Sequence, residues 1–224
     1  MTIREAIDAR HSVRAYTKQP IEGEVLKALE DEIAACCKKS GLSIRLFRND
    51  PSAIKGLWAY GAFENADNYI ALAGPDTDDL FRLCGYWGEH LVLFAETLGL
   101  STCWIAGSYK KNRVKKNLNE GEALAAIISI GYAAKPGKPH KSKTFAQVTD
   151  TAGDVPEWFK NGVEAALLAP TAINQQRFRF ILDGDEVRAK ALIGPYAKID
   201  LGIVKYHFEV ASGRELKVGH ADRE

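Results

Sequence analysis

Two arginines and a serine alternate near the start of the chain, as Arg10, Ser12 and Arg14. In an extended segment alternate residues face the same side, so two guanidinium groups and a hydroxyl would point together. In a helix, Arg10 and Arg14 would also be neighbours. Either arrangement suits a phosphate, which favours bidentate donors and adjacent positive charge. The alternative is a solvated, charged turn that follows a first helix.

A run of small and amide residues over 169–176 is the second candidate, and it reads Ala-Pro-Thr-Ala-Ile-Asn-Gln-Gln. Pro170 ends a predicted helix, and a predicted strand follows the run. Amide side chains carry both hydrogen-bond donors and acceptors, which suits the edge of a heterocycle. The alternative is a helix-to-strand turn in which Asn174 bonds its own backbone, and this reading is favoured when the run is taken alone.

Two further segments could also contact a ligand. Over 98–107, Gly107 allows a planar ligand to approach the backbone closely, and free amides there could meet a carbonyl or ring nitrogen. The alternative for this segment is a tight turn after a core strand. Five potentially positive residues lie within 135–143, where they could bind phosphate or nucleic acid: Lys135, Lys138, His140, Lys141 and Lys143. The alternative, favoured for this run alone, is a surface linker.

The composition excludes several other functions. Lys and Arg number 30 against 29 Asp and Glu, so the net charge of +1 gives no reason to expect nucleic acid as a partner. The apolar stretches are too short to span a membrane, and the start of the chain lacks the apolar core of a signal peptide. The four cysteines show no Cys-x-x-Cys spacing, which predicts reduced thiols in a cytoplasmic protein. The five histidines form no zinc-ligand pattern, so we expect no metal site.

The positions of apolar residues predict the elements that carry these segments. Helical periodicity predicts five helices, over residues 3–9, 24–39, 78–98, 110–118 and 158–169. Alternating or continuous apolar runs predict four strands, over residues 42–47, 68–73, 125–132 and 178–182. The third strand is apolar throughout, which is typical of a position in the middle of a sheet. Residues 134–143 are predicted to be a connector.

Two stretches of the chain follow the same order of helix, short loop and strand, at 25–47 and at 158–180. Residues 85–99 and 200–213 also share Tyr, His and Phe. We interpret this as a weak internal duplication, although chance similarity between two helix–strand units is the alternative. The predicted halves are residues 1–143 and a shortened second half, 144–224, which together form one globular unit.

Taken in this order, the segments resemble the FMN-dependent nitroreductase superfamily. Residues 10–14, Arg-His-Ser-Val-Arg, are similar to its N-terminal phosphate-binding motif, and residues 99–107 to the stretch whose amides face the flavin. Residues 141–143 are similar to its basic phosphate-binding segment, and residues 169–176 to its Ala-Pro-Ser-x-x-Asn-x-Gln-Pro-Trp motif. The resemblance implies an α+β, nitroreductase-like fold of mixed, mainly antiparallel sheets packed with helices.

The order of the motifs differs from that of ordinary members of this superfamily. Their Pro-Ser-x-x-Asn motif lies in the first third of the chain, whereas here it lies near the end. In their homodimers, one subunit supplies most of the contacts to the flavin phosphate, and the other subunit supplies the contact from the Pro-Ser-x-x-Asn motif. The chain therefore resembles the single-chain, pseudo-dimeric nitroreductase subfamily, which implies two pseudo-symmetric halves, a monomer that acts as a pseudo-dimer, and one FMN between the halves. Association of such monomers is left open.

The resemblance also implies roles for individual residues. Arg10, Ser12, Lys141 and Lys143 would bind the FMN phosphate, with His11 in the same motif, and Arg14 would reach towards the ribityl chain or the N1/O2 edge. The amides of Ala106 and Gly107 would face N5 and O4 of the flavin. The remaining contacts would come from the opposite half of the molecule, through Pro170, Thr171, Ala172 and Asn174.

The implied activity is hydride transfer from NADH or NADPH through the flavin to a small-molecule acceptor such as a nitroaromatic or quinone. No catalytic side chain is expected, since flavin N5 carries the chemistry. Two departures from the family bear on this: Gln176-Arg177-Phe178 replaces Gln-Pro-Trp, and Tyr86 and Trp87 could cover the flavin face. If they do, the alternative is an FMN-binding sensor or carrier without turnover.

Overall fold

A computed structural model describes residues 1–54, 63–151 and 153–218. Its seven helices are α1 Ile3–Ala9, α2 Gly23–Ser40, α3 Leu80–Thr97, α4 Lys111–Lys115, α5 Phe145–Val148, α6 Glu157–Leu167 and α7 Ala197–Ser212. Its eight strands are β1 Ser43–Phe47, β2 Tyr69–Pro75, β3 Ser101–Ile105, β4 Glu122–Gly131, β5 Thr149–Asp150, β6 Phe178–Asp183, β7 Glu186–Ala191 and β8 Lys217–Val218. None of the helices in these ranges is long and apolar enough to cross a membrane.

The first sheet is antiparallel and has the strand order β1-β2-β4-β3. Strands β2 and β4 occupy its centre, and their residues are almost all buried. Both faces of a central strand meet apolar neighbours here, which explains why β4 is a continuous apolar run rather than an alternating one. The sequence prediction of a mid-sheet position for this strand is confirmed.

The second sheet has the order β5-β6-β7-β8 and lies entirely within the last third of the chain. Its centre is the antiparallel hairpin of β6 and β7, whose turn contains Gly184 with a φ of 59°. Two short strands pair with this hairpin in parallel at its edges. Helices pack against both sheets, so the predicted α+β class with mainly antiparallel sheets is confirmed.

Helices α3 and α7 form the centre of the molecule, and they cross at two glycines. A Cβ atom at Gly85 would lie 2.2 Å from the carbonyl oxygen of Ile199, and one at Gly202 would lie 2.1 Å from that of Arg82. No side chain fits at either distance, so only glycine allows the helices to approach so closely. The two contacts are reciprocal, because each carbonyl precedes the opposite glycine by three residues.

Two histidines on these helices repeat the same reciprocal relation. His207 Nε2 lies 2.8 Å from Glu89 Oε1, and His90 Nδ1 lies 2.6 Å from the hydroxyl of Tyr206. Each histidine therefore bonds the residue that precedes the other one. His207 and Glu89 are fully buried, and Trp104 Nε1 donates to the second oxygen of Glu89 at 2.8 Å.

The predicted helices match α1, α2, α3 and α6 to within two residues at each end, and the predicted strands match β1, β2, β4 and β6 to within three. Helix α4 is shorter than the predicted 110–118. The amides of Asn117 and Leu118 bond to carbonyls three residues earlier rather than four, so these residues form turns after the α-helix. Strand β2 runs on to Pro75 rather than closing at Gly74, because a proline is tolerated as the last residue of a strand.

Candidate functional site

Two adjoining cavities, of about 540 and 460 Å³, form one cleft between the start of the chain and the turn after α6. Both volumes fall in the range of small-molecule sites. Among the described residues, five line both cavities: Ser12, Arg14, Pro170, Thr171 and Ile173. The cleft therefore brings together the first and the second candidate segments of the sequence, which lie far apart along the chain.

The segment after α1 is extended and lies along the edge of the first sheet. Arg10 follows the helix with φ −66° and ψ 127°, and the amide of Val13 donates to the carbonyl of Thr102 on β3 at 2.9 Å. Arg10 is only 4% exposed and lines the smaller cavity. Its Nε is buried and has no hydrogen-bond partner among the described residues. A buried guanidinium with a free donor is costly unless a ligand or ordered water accepts that bond.

The basic connector forms the other side of the smaller cavity. Lys135, Lys138 and His140 line it, and a Cβ at Gly137 would lie 2.5 Å from Cβ of His11. A side chain at Gly137 would push the connector away, so glycine there holds these cations close to Arg10. We call five residues around this cavity the cationic wall: Arg10, Ser12, Arg14, Lys135 and Lys138.

Positive charge in this region affects His11. Burial lowers the pKa of its imidazole, and the nearby charges of Arg10 and His140 lower it further. Its ring is half-buried and does not line either cavity. The structure therefore places His11 beneath the connector, and its predicted role in cofactor binding stays a prediction.

Lys141 and Lys143 do not line the cleft. The carbonyl of Lys141 accepts a bond from Asn174 Nδ2 at 2.8 Å, and Nζ of Lys143 donates to the carbonyl of Gln176 at 2.7 Å. These bonds attach the connector to the turn after α6. The two lysines therefore hold the two sides of the cleft together here, and their predicted phosphate contact stays a prediction.

The turn after α6 has an unusual backbone. Ile173, Asn174 and Gln176 all have positive φ, at 48°, 53° and 45°. Such conformations cost energy for residues with a side chain and persist only where the surroundings hold them. Asp200 at the start of α7 supplies part of that support, as its Oδ1 accepts from the amide of Ala172 at 3.0 Å.

Asp200 is buried and lines the larger cavity. Burial raises the pKa of this carboxyl to about 6, although the bonds from Ala172 and Gln175 act in the opposite direction. Gln175 Nε2 donates to Asp200 Oδ2 at 3.1 Å and to the carbonyl of Pro195 at 2.8 Å. This carboxyl therefore positions the turn, and it changes charge near neutral pH.

Gln176 completes the support of the turn and is 1% exposed. Its Nε2 donates to the carbonyl of Leu167 at 2.9 Å, and its Oε1 accepts from the amide of Lys143 at 2.7 Å. Its own amide donates to Thr171 Oγ1 at 3.1 Å. We call five residues the amide wall: Thr171, Asn174, Gln175, Gln176 and Asp200.

The floor of the larger cavity is the end of β3 and the residues after it. Ala106 and Gly107 line it, and a Cβ at Gly107 would lie 2.7 Å from the hydroxyl of Tyr196. Tyr196 directly precedes α7 and has a φ of 61°. Trp104 also lines this cavity, and its indole is held by the buried pair of Glu89 and His207.

Tyr86 and Trp87 do not line either cavity. The ring of Tyr86 packs edge-on against Tyr206 at 5.1 Å, and its hydroxyl donates to Glu209 at 2.8 Å. Trp87 packs edge-on against Tyr86 and His90. These two bulky side chains fill the space between helices, so the concern that they cover the ligand is not supported.

Nine of the predicted site residues line the cleft: Arg10, Ser12, Arg14, Ala106, Gly107, Pro170, Thr171, Ala172 and Asn174. Four further lining residues, which come from α7 and the turn before it, were not predicted: Tyr196, Ile199, Asp200 and Ile203. The weak similarity between 85–99 and 200–213 includes Asp200 and Ile203 but gives no indication of their function, and no signal in the sequence indicated Tyr196 or Ile199.

Comparisons with known proteins agree with this geometry. A family model described as "Putative TM nitroreductase" matches residues 2–212. A "putative nitroreductase" from Thermotoga maritima has 23% sequence identity and a TM-score of 0.67, over 100% of this chain and 91% of that one. A comparison with curated proteins gives no significant match.

Two more solved structures are similar over part of the chain. A "nitroreductase-like protein" from Streptococcus mutans has 13% identity and a TM-score of 0.55, over 66% of this chain and 97% of that one. A "putative nitroreductase in complex with FMN" from Desulfovibrio desulfuricans has 19% identity and a TM-score of 0.51, over 66% and 94%. The chain has the nitroreductase fold, and it belongs to the family described as "Putative TM nitroreductase".

Proposed function

We propose that this chain binds one FMN in the cleft and acts as an oxidoreductase. The donor would be NADH or NADPH, and the acceptor a nitroaromatic, a quinone or a similar small molecule. One observation carries the proposal: the cleft joins the cationic wall, the amides after β3 and the turn after α6 around a single space. Family membership and the FMN bound to a relative support the same cofactor.

The smaller cavity fits the phosphate end of such a cofactor. Arg10 offers a buried Nε that lacks a partner among the described residues, and Ser12 offers a hydroxyl beside it. Lys138 adds charge from the connector, as does Lys135, whose ammonium also pairs with Glu64 at 3.3 Å. A phosphate monoester carries nearly two negative charges at neutral pH, and charge-assisted bonds from guanidinium and ammonium groups would offset them. These residues would hold the phosphate.

The larger cavity fits a planar ring. Its walls include Trp104, Ile199 and Ile203, which present apolar surface, while the backbone of Ala106 and Gly107 presents polar groups. A mostly apolar pocket with a few placed polar groups is typical of a cofactor site. Thr171 of the amide wall and the adjacent Ala172 would contact the ring.

When bound, FMN supplies the two-electron chemistry between the nicotinamide and the second substrate. The protein contributes position, exclusion of water and charge. Arg14 lies where the two cavities meet, so its positive charge would favour negative charge on a ligand in either one. A catalytic side chain is not needed for this chemistry.

We also propose that residues 1–143 and 144–224 are two pseudo-symmetric halves of a pseudo-dimer. Each contains one complete sheet, and α3 and α7 contribute matching residues where they cross. The reciprocal bonds of His90 and His207 support the same relation. A twofold arrangement of this kind is usual between the subunits of a homodimer, and here it would lie within one chain.

A spectrum of the purified protein tests the proposed function. We expect flavin absorption, release of FMN on denaturation, and bleaching by NADH or NADPH without oxygen. A nitroaromatic or quinone should then restore the colour. Free FMN with the same donor is the control for uncatalysed reduction.

Two other results would contradict this function in different ways. A yellow protein that neither donor bleaches would support the FMN-binding sensor or carrier. A colourless protein that takes up no added FMN would contradict the cofactor itself. Tyr86 and Trp87 give no reason to expect the first result, since they pack between helices rather than over the cleft.

A further inference from the structure

Three side chains of different chemistry meet between α2 and α3: Glu32, Cys36 and His90. Their ligand atoms, one from each, all lie within 4.8 Å of one another. None of the three lines the cleft. They also differ from an ordinary surface ion pair, because Cys36 is fully buried and the side chains of His90 and Glu32 are only 19% and 26% exposed.

The two helices present these groups to one point. Glu32 and Cys36 are four residues apart on α2, so they lie on the same face, one turn above the other. His90 comes from α3, and its Nε2 lies 2.6 Å from Glu32 Oε1. The sequence predicts no metal site here, because these residues do not form a local motif.

The other nitrogen of His90 has a partner that would orient the ring. Its Nδ1 lies 2.6 Å from the hydroxyl of Tyr206 on α7. Histidines that bind metals usually donate from their second nitrogen to a neighbouring oxygen, which fixes the tautomer and the ring. In the metal-free cluster a proton lies between Nε2 and Glu32 Oε1. On metal binding Nε2 would lose this proton and Nδ1 would gain one, which it donates to Tyr206, so the neutral ring presents its Nε2 lone pair to the ion.

We propose that Glu32, Cys36 and His90 bind a divalent metal ion of the zinc class. Carboxylate, thiolate and imidazole are the three side-chain ligands that zinc takes in proteins. A carboxylate and a thiolate together carry two negative charges, so a dication leaves the buried cluster neutral. The softer thiolate and the imidazole disfavour magnesium and calcium, which prefer oxygen ligands.

Binding requires a small movement, a change of the His90 tautomer and the net release of one proton. Zinc bonds of about 2.0–2.3 Å set ligand atoms roughly 3.4 Å apart in a tetrahedron, so the carboxylate and imidazole would separate by about 1 Å. The thiol proton of Cys36 leaves to solvent as the sulfur–metal bond forms. Burial and the charge of Glu32 raise the pKa of Cys36 to about 12, so the metal-free thiol stays protonated and unreactive.

The partial exposure of Glu32 and His90 leaves one side of the cluster open. An ion can enter there, and a water molecule can take the fourth position, as it does in sites with three protein ligands. The proposal is independent of the FMN site, since the two share no residue. Failure of one therefore leaves the other unaffected.

The test is metal titration of the full chain, free of any affinity tag and treated with a chelator. We expect one Zn²⁺ per chain by calorimetry, and a Co²⁺–thiolate charge-transfer band in the absorption spectrum. Cys36→Ser should abolish the band and weaken Zn²⁺ binding by more than ~100-fold, beyond the usual effect of losing an outer partner. Cys84→Ser is the matched control, because Cys84 is equally buried and lies outside the cluster.

Glu32→Gln is a second variant that keeps the fold, because Glu32 is partly exposed and glutamine has nearly the same volume. Zn²⁺ should raise the Tm of the wild type and leave that of Glu32→Gln unchanged. Absence of Zn²⁺ binding to the wild type would overturn the proposal. Equal binding by Cys36→Ser, or loss of the band in Cys84→Ser, would overturn it too.

Discussion

The two walls of the cleft use polar groups in opposite ways. On the cationic wall, the buried Nε of Arg10 bonds no other described residue. On the amide wall, Asp200 accepts from the amide of Ala172 in the strained turn, Gln175 donates to Asp200, and Gln176 donates to the carbonyl of Leu167 at the end of α6. The cationic wall thus keeps a hydrogen-bond donor free for a ligand, whereas the polar side chains of the amide wall bond other parts of the protein and stabilise the turn.

This difference predicts two kinds of mutant. Substitutions on the amide wall should lower the stability of the protein even without a ligand, because they leave buried backbone groups without partners. Substitutions on the cationic wall should leave stability nearly unchanged and reduce the affinity for FMN. The same cleft would then separate a structural from a ligand-binding role.

Gln176→Leu should have the largest effect. The variant leaves the amide of Lys143 without its partner, and it removes one of the bonds to the carbonyl of Leu167, which still accepts from Ser142 Oγ at 2.9 Å. One buried donor left unpaired, at about 2 kcal/mol, and one lost bond, at about 1 kcal/mol, give a loss of about 3 kcal/mol in the free energy of unfolding, measured by urea denaturation. Asn161→Leu on the exposed face of α6 is the control and should stay within about 0.5 kcal/mol. A loss below about 1 kcal/mol for Gln176→Leu would show that the turn does not depend on this side chain.

Asp200→Asn should change how stability depends on pH. The pKa of Asp200 is about 6 in the folded protein against an ordinary 3.8, so the folded state binds the extra proton between these values. The contribution of this carboxyl to the free energy of unfolding therefore falls by up to ~3 kcal/mol as pH rises from about 4 to 6. Above pH 6 this contribution no longer changes with pH. The asparagine variant should lack this fall.

Urea denaturation of both proteins at several pH values between 4 and 7 measures the difference. Asp154→Asn is the control, since Asp154 is exposed. Parallel stability curves for the wild type and Asp200→Asn would mean that the buried carboxyl does not titrate in this range.

The two walls also differ in how well the sequence predicts them. The cationic wall was predicted largely from Arg10, Ser12 and Arg14, because alternation in an extended segment is a local property. The turn after α6 was located correctly as well. Its supporting bonds were not, since Asp200 lies on another helix and no local pattern in the sequence indicates such a partner.

The basic connector shows a different limit. The sequence marked the whole run 135–143, and the resemblance then favoured Lys141 and Lys143 for the phosphate. In the structure, Lys135 and Lys138 line the cavity instead. The choice depends on how the connector approaches His11 at Gly137, which is a tertiary contact and therefore invisible in composition or spacing.

Arg10→Met should separate affinity from stability. Loss of charge-assisted bonds to the phosphate should raise the Kd for FMN about 30–100-fold, equivalent to ~2–3 kcal/mol. The unfolding free energy of the FMN-free protein should change by less than about 1 kcal/mol, because Arg10 Nε has no partner to lose among the described residues. Arg4→Met, on the exposed face of the preceding helix α1, should alter neither quantity. A strongly destabilised FMN-free Arg10→Met would make Arg10 a structural residue and remove the contrast.

Lys138→Ala should have the smallest effect and decides which lysines face the ligand. Lys138 lines the cavity but is exposed, so its charge is screened and should contribute only ~0.5–1 kcal/mol, or about a 2–5-fold change in Kd. That effect should shrink as salt is added, since screening reduces the attraction between exposed charges. Lys141→Ala removes the same charge three residues further on, where only the backbone carbonyl is in use, and should leave the Kd within ~2-fold. If Lys141→Ala proves the weaker binder of the two, the phosphate lies further along the connector than the cavity, and the resemblance was the better guide to this part of the site.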